Sequence, residues 1–517
     1  MIIQGAKRSC IFLLCLPAVL WGVNPVTPGS WIPARWPGGP LELECRTKAK
    51  TKAALTDPAL REAIATWYDP ATLRLLEGSP VNCLLLTWSA GADRRTEQRQ
   101  QQLVKAYAAE AHARGIAVLG LIYPGADPSQ FALPAADARL DGFVLDGQFP
   151  AGFNEQLAKA QTPSSSAVVI PIAAEAASIR SAGLPVFAVE GVPPSARNLS
   201  DMGIRGSPSS EPWIESNVWL VRSFRLASVW RPVWISYQPD RGTPEDYVRS
   251  VADSAVAGGR WIVALDDGLR AKLRLGEPAA VAAWRRIGAG LKFAEDHAEW
   301  RGFEPYGNLG VIVDTAAADR EMADEYLKLV GRRQVPYRPI ARSQLSPASL
   351  TGFRAVLATE LDPPTAGERK LLAAFAENGG LVVAGPSWGN PPKDEPFAEM
   401  PLGKGRVTVY KDPNPENVAR DMRDLLSHRE AGVAAFNVPS VITYASRSGD
   451  GKRLLVQLLN YSEFPSTDIT IRVIGNFKTA RLFTPEGPPA SLSMNRAEGQ
   501  IDVTIPKLVL WGGLLLE

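Results

Sequence analysis

Carboxylates follow short apolar segments at regular places in the first half of the chain. Asp146 comes directly after Phe143-Val144-Leu145, and Gly147 then breaks the segment. The other acids in comparable positions are Glu175, Glu190, Asp240, Asp266 and Asp267. Hydrolysis of a glycosidic bond needs two carboxyl groups, one protonated as the acid and one ionised as the nucleophile or base. The pattern is therefore compatible with acid–base catalysis by a pair of carboxyl groups, of which glycoside hydrolysis is one example.

The apolar segments that carry these acids predict a barrel. Most of them are followed by a helix-like stretch, which favours a parallel sheet, and eight in succession favour a closed (β/α)8 TIM barrel. In such barrels the chemistry lies at the C-terminal ends of the strands. The predicted strands are 82–88, 116–123, 142–146, 167–172, 185–190, 217–224, 233–237 and 260–266.

Each acid also has a structural alternative. Asp146 could pair with an arginine across the barrel top, and Glu175 could begin the following helix, where the helix dipole favours a glutamate. Glu190 ends its strand and heads the long insert 191–216, while Asp266 belongs to a doublet that could form a salt bridge. We expect the catalytic pair to come from Asp146, Glu175 and Glu190, with Asp266 as a substitute partner.

Flat side chains near the same strand ends suggest a sugar site, because aromatic rings stack on the apolar faces of sugars. We expect Trp88, Tyr123, Tyr237 and Gln238 to contact a carbohydrate. The alternative for each ring is ordinary packing at the barrel rim.

The composition of the chain disfavours several other classes of function. The three histidines fall in polar stretches of predicted helices, which disfavours a Ser-His-Asp triad or a His-rich metal site. No cofactor is predicted, since the chain has no phosphate-cradling glycine loop. The formal net charge of +2 and the lack of a basic run give no indication of nucleic-acid binding.

The N-terminus predicts export. Lys7-Arg8 precede an apolar run over residues 11–23, which is short for a membrane span and typical of a secretory signal. We expect a periplasmic or extracellular protein with no membrane span after signal removal. Cys45 and Cys83 could then form a disulfide, or Cys83 could be a buried thiol within its strand.

Pattern changes divide the chain further. We expect a signal peptide over 1–23, a lead-in with a helix over 24–80 that includes an extra strand at 41–45, and the barrel over 81–304. Alternating strands and helices predict an open α/β domain over 305–430, and short alternating strands predict an antiparallel β-sandwich over 438–517.

This order of domains resembles clan A glycoside hydrolases of the family 42 β-galactosidase type. Residues 246–300 are similar to their last barrel unit and exit helix, and 308–314 (NLGVIVD) to the first strand of their glutamine-amidotransferase-like domain. Residues 403–407 are similar to the glycine-rich hairpin of that domain, and 455–461 to a strand of the terminal sandwich. The resemblance implies a carbohydrate substrate or ligand, and a homo-oligomer is compatible with it.

Three departures from that pattern leave alternatives open. Strand four lacks the Asn of the clan's Asn-Glu pair before Glu175, strand seven ends in 236–240 without a Glu, and 358–361 lacks the amidotransferase cysteine. A non-catalytic carbohydrate-binding or scaffold protein is therefore the rival hypothesis. The segment Asp141 to Asp146 also resembles a strand of endo-polygalactosaminidases.

Overall fold

The computed structural model describes most of the chain. The described residues are 27–48, 57–161, 167–174, 184–197, 199–200, 203–204, 213–227, 231–239, 242–315, 317, 320–389, 395–426, 430–436, 438 and 440–517. The predicted signal peptide, Glu175 and Asp240 lie outside these residues.

Eight parallel strands form a closed barrel. Each strand pairs with its neighbour in chain order, and a bridge between Ala34 and Val263 joins the last strand to the first. The strands are β1 Pro33–Arg35, β2 Cys83–Ser89, β3 Ala117–Ile122, β4 Gly142–Leu145, β5 Val168–Ala173, β6 Phe187–Glu190, β11 Val233–Ser236 and β12 Arg260–Trp261. Four short strands lie in the insert after β6, namely β7 Ser195–Arg197, β8 Leu199–Ser200, β9 Gly203–Ile204 and β10 Trp213–Glu215.

Helices cover the barrel and lead out of it. They begin where the sequence supplies caps, for example Asp93 before the helix that starts at Arg94 and Thr243 in a capping box before the helix that starts at Pro244. The helices are α1 Gly39–Lys48, α2 Pro58–Ala65, α3 Arg94–His112, α4 Pro128–Asp137, α5 Phe153–Ala160, α6 Val218–Ala227, α7 Pro244–Ala255, α8 Asp267–Arg274 and α9 Pro278–Asp296.

Three local predictions in this region are wrong. The first barrel strand is β1, within the segment expected to be an irregular lead-in, so the strand at Cys83–Ser89 is the second. The predicted strand at 217–224 is part of α6, because its apolar residues recur on one helical face that packs on the barrel. The predicted strand at 41–45 lies in α1.

Alternating residues of the barrel strands build two separate cores. The inward-facing residues include Leu85, Leu119, Val144 and Trp234, and they fill the barrel. Their sequence neighbours face outward and pack under the helices in a larger cluster. The inner cluster includes Cys83, and burial raises the pKa of its thiol well above the usual value. Cys83 and Cys45 are both free thiols, so no disulfide joins them.

The middle domain is an open sheet with helices around it. Its strand order is β15-β14-β16-β17-β19-β18, and only the β18–β19 hairpin is antiparallel. The strands are β14 Leu309–Val313, β15 Tyr337–Ala341, β16 Ala355–Leu357, β17 Leu381–Ala384, β18 Phe397–Leu402 and β19 Gly405–Tyr410. The helices are α10 Glu321–Arg332, α11 Ala366–Glu377 and α12 Pro415–Leu425.

The last domain is an antiparallel sandwich of two sheets, ordered β13-β21-β22-β28-β24-β25 and β20-β23-β27-β26. A (β/α)8 barrel followed by an open α/β unit and a β-sandwich is therefore confirmed. The strands are β13 Glu304–Pro305, β20 Val433–Phe436, β21 Val441–Arg447, β22 Leu454–Asn460, β23 Ser466–Ile474, β24 Ala480–Thr484, β25 Gly487–Ser491, β26 Met494–Ala497, β27 Gln500–Leu508 and β28 Trp511–Leu516.

A buried carboxylate joins the barrel to the sandwich. Asp253 of α7 accepts hydrogen bonds from the Ser216 hydroxyl at 2.6 Å, the Asn217 amide at 2.8 Å and the Tyr461 hydroxyl at 2.7 Å. Burial raises the pKa of Asp253 even though these donors oppose the shift. Tyr444 extends the cluster through its hydroxyl, 2.8 Å from that of Tyr461.

Replacing Glu295 should destabilise the exit from the barrel in a pH-dependent way. This carboxylate accepts from Arg301 at 2.5 and 3.0 Å and lies 3.4 Å from Arg260, and these arginines lower its pKa despite its burial. A lowered folded-state pKa stabilises the protein above the unfolded value and loses that effect as pH falls through the folded value. We expect Glu295→Gln to cost about 1–2 kcal/mol at neutral pH.

Denaturant unfolding of both proteins between neutral pH and about pH 2 measures this effect. The difference between wild type and Glu295→Gln should shrink as pH falls below 4.5, the ordinary pKa of a glutamate. A difference that stays constant over this range would contradict the assignment.

Candidate active site at the barrel mouth

Inward-facing positions at the C-terminal strand ends form one polar layer above the barrel core. On β4, Val144 faces the interior, so Asp146 two residues later faces the same way. Gly147 then turns the chain away with φ +116°, a conformation that L side chains rarely adopt. The sequence therefore holds the Asp146 carboxylate at the rim of the mouth.

Arg35, the last residue of β1, reaches across the mouth. One guanidinium nitrogen donates to the Asp146 carboxylate at 2.7 Å, and the other donates to the Ser236 hydroxyl on β11 at 3.0 Å. Burial disfavours the charged guanidinium, but the Asp146 carboxylate and its hydrogen bond outweigh it and raise the pKa of Arg35. Asp146 is thus paired with an arginine across the barrel mouth, the alternative that the sequence left open for it.

A second set of ion pairs braces this edge of the mouth. Glu42 of α1 accepts from the Thr87 hydroxyl at the end of β2 and from Arg46, both at 2.8 Å. Arg46 in turn donates to Asp267 after β12. These contacts therefore connect β2, through Glu42 and Arg46 of α1, to the start of α8.

Glu190 differs from the other acids because it is exposed. Val186 and Ala188 belong to the inner core, so Glu190 faces the mouth by alternation. Its register partner on the next strand is Ser236, the residue that Arg35 contacts. No hydrogen bond or ion pair reaches its carboxylate from the described residues.

Asp266 has a structural role. One carboxylate oxygen caps α8 by accepting from the Leu269 amide at 3.0 Å, and the other accepts from the Tyr247 hydroxyl. The backbone amide of Asp266 donates to the same hydroxyl at 3.1 Å. Both oxygens of this substitute candidate are engaged in holding the turn.

Of the expected sugar-contacting residues, two face the mouth. Tyr123 lies after β3 against the inner core, and burial, together with the charges of Glu42 and Asp146, raises its pKa well above the usual value. Gln238 is exposed, and its amide lies 3.5 Å from the Leu265 carbonyl.

The expectation for Trp88 and Tyr237 is wrong, because both rings point outward into the layer under the helices. Trp88 is fully buried and its indole donates to the Phe131 carbonyl at 3.3 Å. Tyr237 stacks on Trp261, with ring centroids 5.5 Å apart. Even-numbered positions on β2 and odd-numbered positions on β11 face the helices, so neither ring points into the mouth.

Trp88→Phe should therefore change stability and leave ligand affinity unchanged. The smaller ring leaves a gap and removes the hydrogen bond to Phe131, for an expected cost of about 1–2 kcal/mol. Thermal unfolding and KM for any substrate that wild type hydrolyses measure the two effects. A large rise in KM with unchanged stability would contradict the outward placement.

Sequence reasoning missed Arg35, Glu42 and Thr87. Arg35 stands in a segment rich in Pro, Gly and Trp, and its partner Asp146 is 111 residues away. In the described part of the chain, no His, Cys, Asp or Glu side chains form a group of three or more that could hold a metal ion. None of the described helices is long and apolar enough to cross a membrane.

The strands and helices define a TIM barrel followed by an open α/β domain and a β-sandwich. The chain is similar to an α-L-fucosidase isoenzyme from Paenibacillus thiaminolyticus, with a TM-score of 0.53 and 12% identity over 86% of this chain and 95% of that chain. This likeness concerns the fold alone.

Two further solved structures have lower TM-scores. An exo-β-1,4-mannosidase from Opitutaceae bacterium strain TAV5 gives 0.45, at 10% identity over 76% of this chain and 94% of that one. A β-galactosidase from Rahnella sp. R3 gives 0.36, at 10% identity over 82% and 68%. No protein-family model matches the chain, and no curated protein sequence matches it.

Proposed function

We propose that the chain hydrolyses a glycosidic bond of an oligo- or polysaccharide at the C-terminal mouth of its barrel. The observation that carries this proposal is the pair Asp146 and Glu190. Both occupy inward positions at strand ends, and both adjoin the Arg35–Ser236 contact. Two carboxylates facing one mouth are the minimum that glycoside hydrolysis requires.

The surroundings of the two acids suggest different roles. Asp146 forms a salt bridge with Arg35, and a carboxylate beside a cation suits a nucleophile or a general base. Glu190 forms no salt bridge with a described residue, so it suits the acid that protonates the leaving oxygen. Glu175 follows β5, which lies between β4 and β6, and stays a candidate for either role.

We propose that the chain is related to family 42 glycoside hydrolases but lacks their usual nucleophile. The strand that would carry that clan's nucleophile is β11, and it ends with Ser236 followed by Tyr237 and Gln238. An amide is a poor nucleophile and no acid, so Asp146 would have to take that role. The carboxylate pair would then come from strands four and six of the barrel.

A non-catalytic carbohydrate-binding protein is the second candidate. It is favoured by the engagement of Asp146 with Arg35 and of Asp266 with α8, because each contact gives an acid a structural task. Glu190 and Gln238 could then hydrogen-bond sugar hydroxyls without cleaving the glycosidic bond.

A substrate screen separates the two functions. Purified protein would be incubated with nitrophenyl glycosides of the common hexoses, 6-deoxyhexoses and uronic acids, and with plant and algal polysaccharides. Release of nitrophenol or of reducing ends supports the enzyme, provided that Asp146→Asn abolishes it. Sugar binding by titration calorimetry without any release would favour the binding protein.

We also propose that the protein is exported, on the basis of Lys7-Arg8 and the apolar run that follows. Deleting residues 1–23 should retain the expressed protein in the cytoplasm, whereas the full chain should reach the periplasm or the medium. Equal distribution of the two forms between the fractions would contradict export.

A further inference from the structure

A cavity of about 650 Å³ lies where the three domains meet. Its walls include Pro232 and Arg260 at the N-terminal ends of barrel strands, Phe303 of the connecting segment, Ile340 of the middle sheet and Ser446 of the sandwich. It therefore lies at the end of the barrel opposite to Asp146 and Glu190. Pockets of this volume are typical of small-molecule sites.

The charge of its walls is strongly one-sided. Six arginines line the cavity, whereas Glu304 is the one carboxylate among the lining residues that the structure describes. Glu295 lies behind the wall and pairs with two of the arginines. The six arginines are Arg222, Arg225, Arg231, Arg260, Arg301 and Arg338.

Three of these arginines form no salt bridge with any described residue. Arg222 lies over the rings of Tyr337 and Tyr444, 4.9 and 5.8 Å from their centroids. Arg338 lies 3.7 Å from the centroid of Phe353 and donates to one backbone carbonyl. Arg225 donates to two backbone carbonyls, at 3.2 and 2.7 Å. Since a guanidinium has five N–H donors, each retains hydrogen-bonding capacity.

Holding these cations together has an energetic cost. Burial lowers the pKa of Arg225, Arg260 and Arg338, and the nearby Arg301 lowers the first two further. An anion bound in the cavity would relieve both effects, because charge-assisted hydrogen bonds to guanidinium groups are strong and often bidentate. Phe303 and Phe353 supply apolar wall between the arginines.

We propose that this cavity binds a small polyanion, that is, a compact molecule with two or more sulfate, phosphate or carboxylate groups. The proposal does not depend on the activity proposed for the barrel mouth, and its test requires no turnover. The three anionic groups share one mode of recognition by arginine, so the experiment must distinguish them.

Titration calorimetry on the full chain tests the ligand class. The probes are sucrose octasulfate, inositol hexakisphosphate and citrate, with sucrose and myo-inositol as neutral counterparts, in about 0.15 M salt, where exposed charges are screened. We expect at least one polyanion to bind with a Kd below about 100 μM and neither neutral compound to bind. Failure of all three polyanions to bind would overturn the proposal.

Paired substitutions locate the site. Arg225→Gln with Arg338→Gln should weaken binding of the best probe about tenfold or more, which is about 1.4 kcal/mol. Arg94→Gln with Arg95→Gln removes the same charge from exposed positions at the start of α3, at the mouth end of the barrel, and should leave the Kd unchanged. Equal weakening by both pairs would indicate non-specific attraction and overturn the proposal.

Chemical footprinting makes the test independent of the variants. Phenylglyoxal modifies accessible arginines, and mass spectrometry reads the modified positions in wild-type protein. The best probe should protect Arg225, Arg231 and Arg338 and leave Arg94 and Arg95 unprotected. Protection of none of the three cavity arginines would contradict the site even if the substituted protein proved unstable.

Discussion

Replacement of Glu190 by glutamine is expected to lower kcat by about a hundredfold to ten-thousandfold, the range typical for loss of a general acid. Glutamine keeps the size of the side chain but cannot donate a proton to the leaving oxygen. Because Glu190 is exposed and has no partner among the described residues, the variant should unfold at the same temperature as wild type. The pH–rate profile should also lose the limb that reports deprotonation of the acid.

The matched control for this variant is Glu155→Gln. Glu155 is an exposed glutamate in the first turn of α5, just after the β4 strand end. Its replacement removes the same charge near the same face and should leave kcat and the pH profile unchanged. If Glu190→Gln retains the wild-type rate on every substrate that wild type hydrolyses, Glu190 is not the acid.

Loss of Arg35 should have the largest effect on stability. Arg35→Met removes the cation that compensates Asp146 in a mostly buried position, and breaking such a pair costs about 3 kcal/mol or more. For a barrel of this size the unfolding temperature should fall by roughly 5–10 °C. Differential scanning calorimetry of the full chain measures the shift.

The double variant Arg35→Met with Asp146→Leu distinguishes a charge effect from a packing effect. With both charges gone, no ion is left without compensation, so most of the lost stability should return. The single variant Asp146→Leu is measured as well. If the double variant loses as much unfolding free energy as the two single variants together, the two side chains are not coupled. The Arg35→Met protein and the double variant should both be inactive in the substrate screen, because each changes Asp146 or the arginine paired with it.

The sequence predicts the architecture because long elements carry strong periodicity. Continuous apolar strands followed by amphipathic helices indicate the barrel, and the residues Thr365 and Glu368 have the spacing of the capping box that starts α11. The sequence does not predict strand β1, because a strand of three residues that contains Pro33 is too short to show a periodic pattern. The apolar residues 218–221 have a high propensity for strands, but they lie in helix α6, whose apolar face packs on the barrel.

The candidate site is only partly predictable for the same reason. An acid at the end of an apolar strand is visible in the sequence, and this pattern identifies Asp146 and Glu190 as candidates. Whether an acid faces the mouth or caps a helix depends on contacts with distant residues, such as Arg35 for Asp146 and Tyr247 for Asp266. The inward or outward direction of Trp88 depends on strand register, which the closed barrel fixes.

Release of reducing ends from oligosaccharides by wild type and by the double variant Asp146→Asn with Glu190→Gln tests the central claim most directly. Both proteins would be assayed at equal concentration on the best substrate of the screen, with calorimetry confirming that each binds it. The proposed mechanism predicts release by wild type and none above background by the double variant, although both bind. Release at comparable rates by both proteins, or by neither, would contradict hydrolysis by this carboxylate pair.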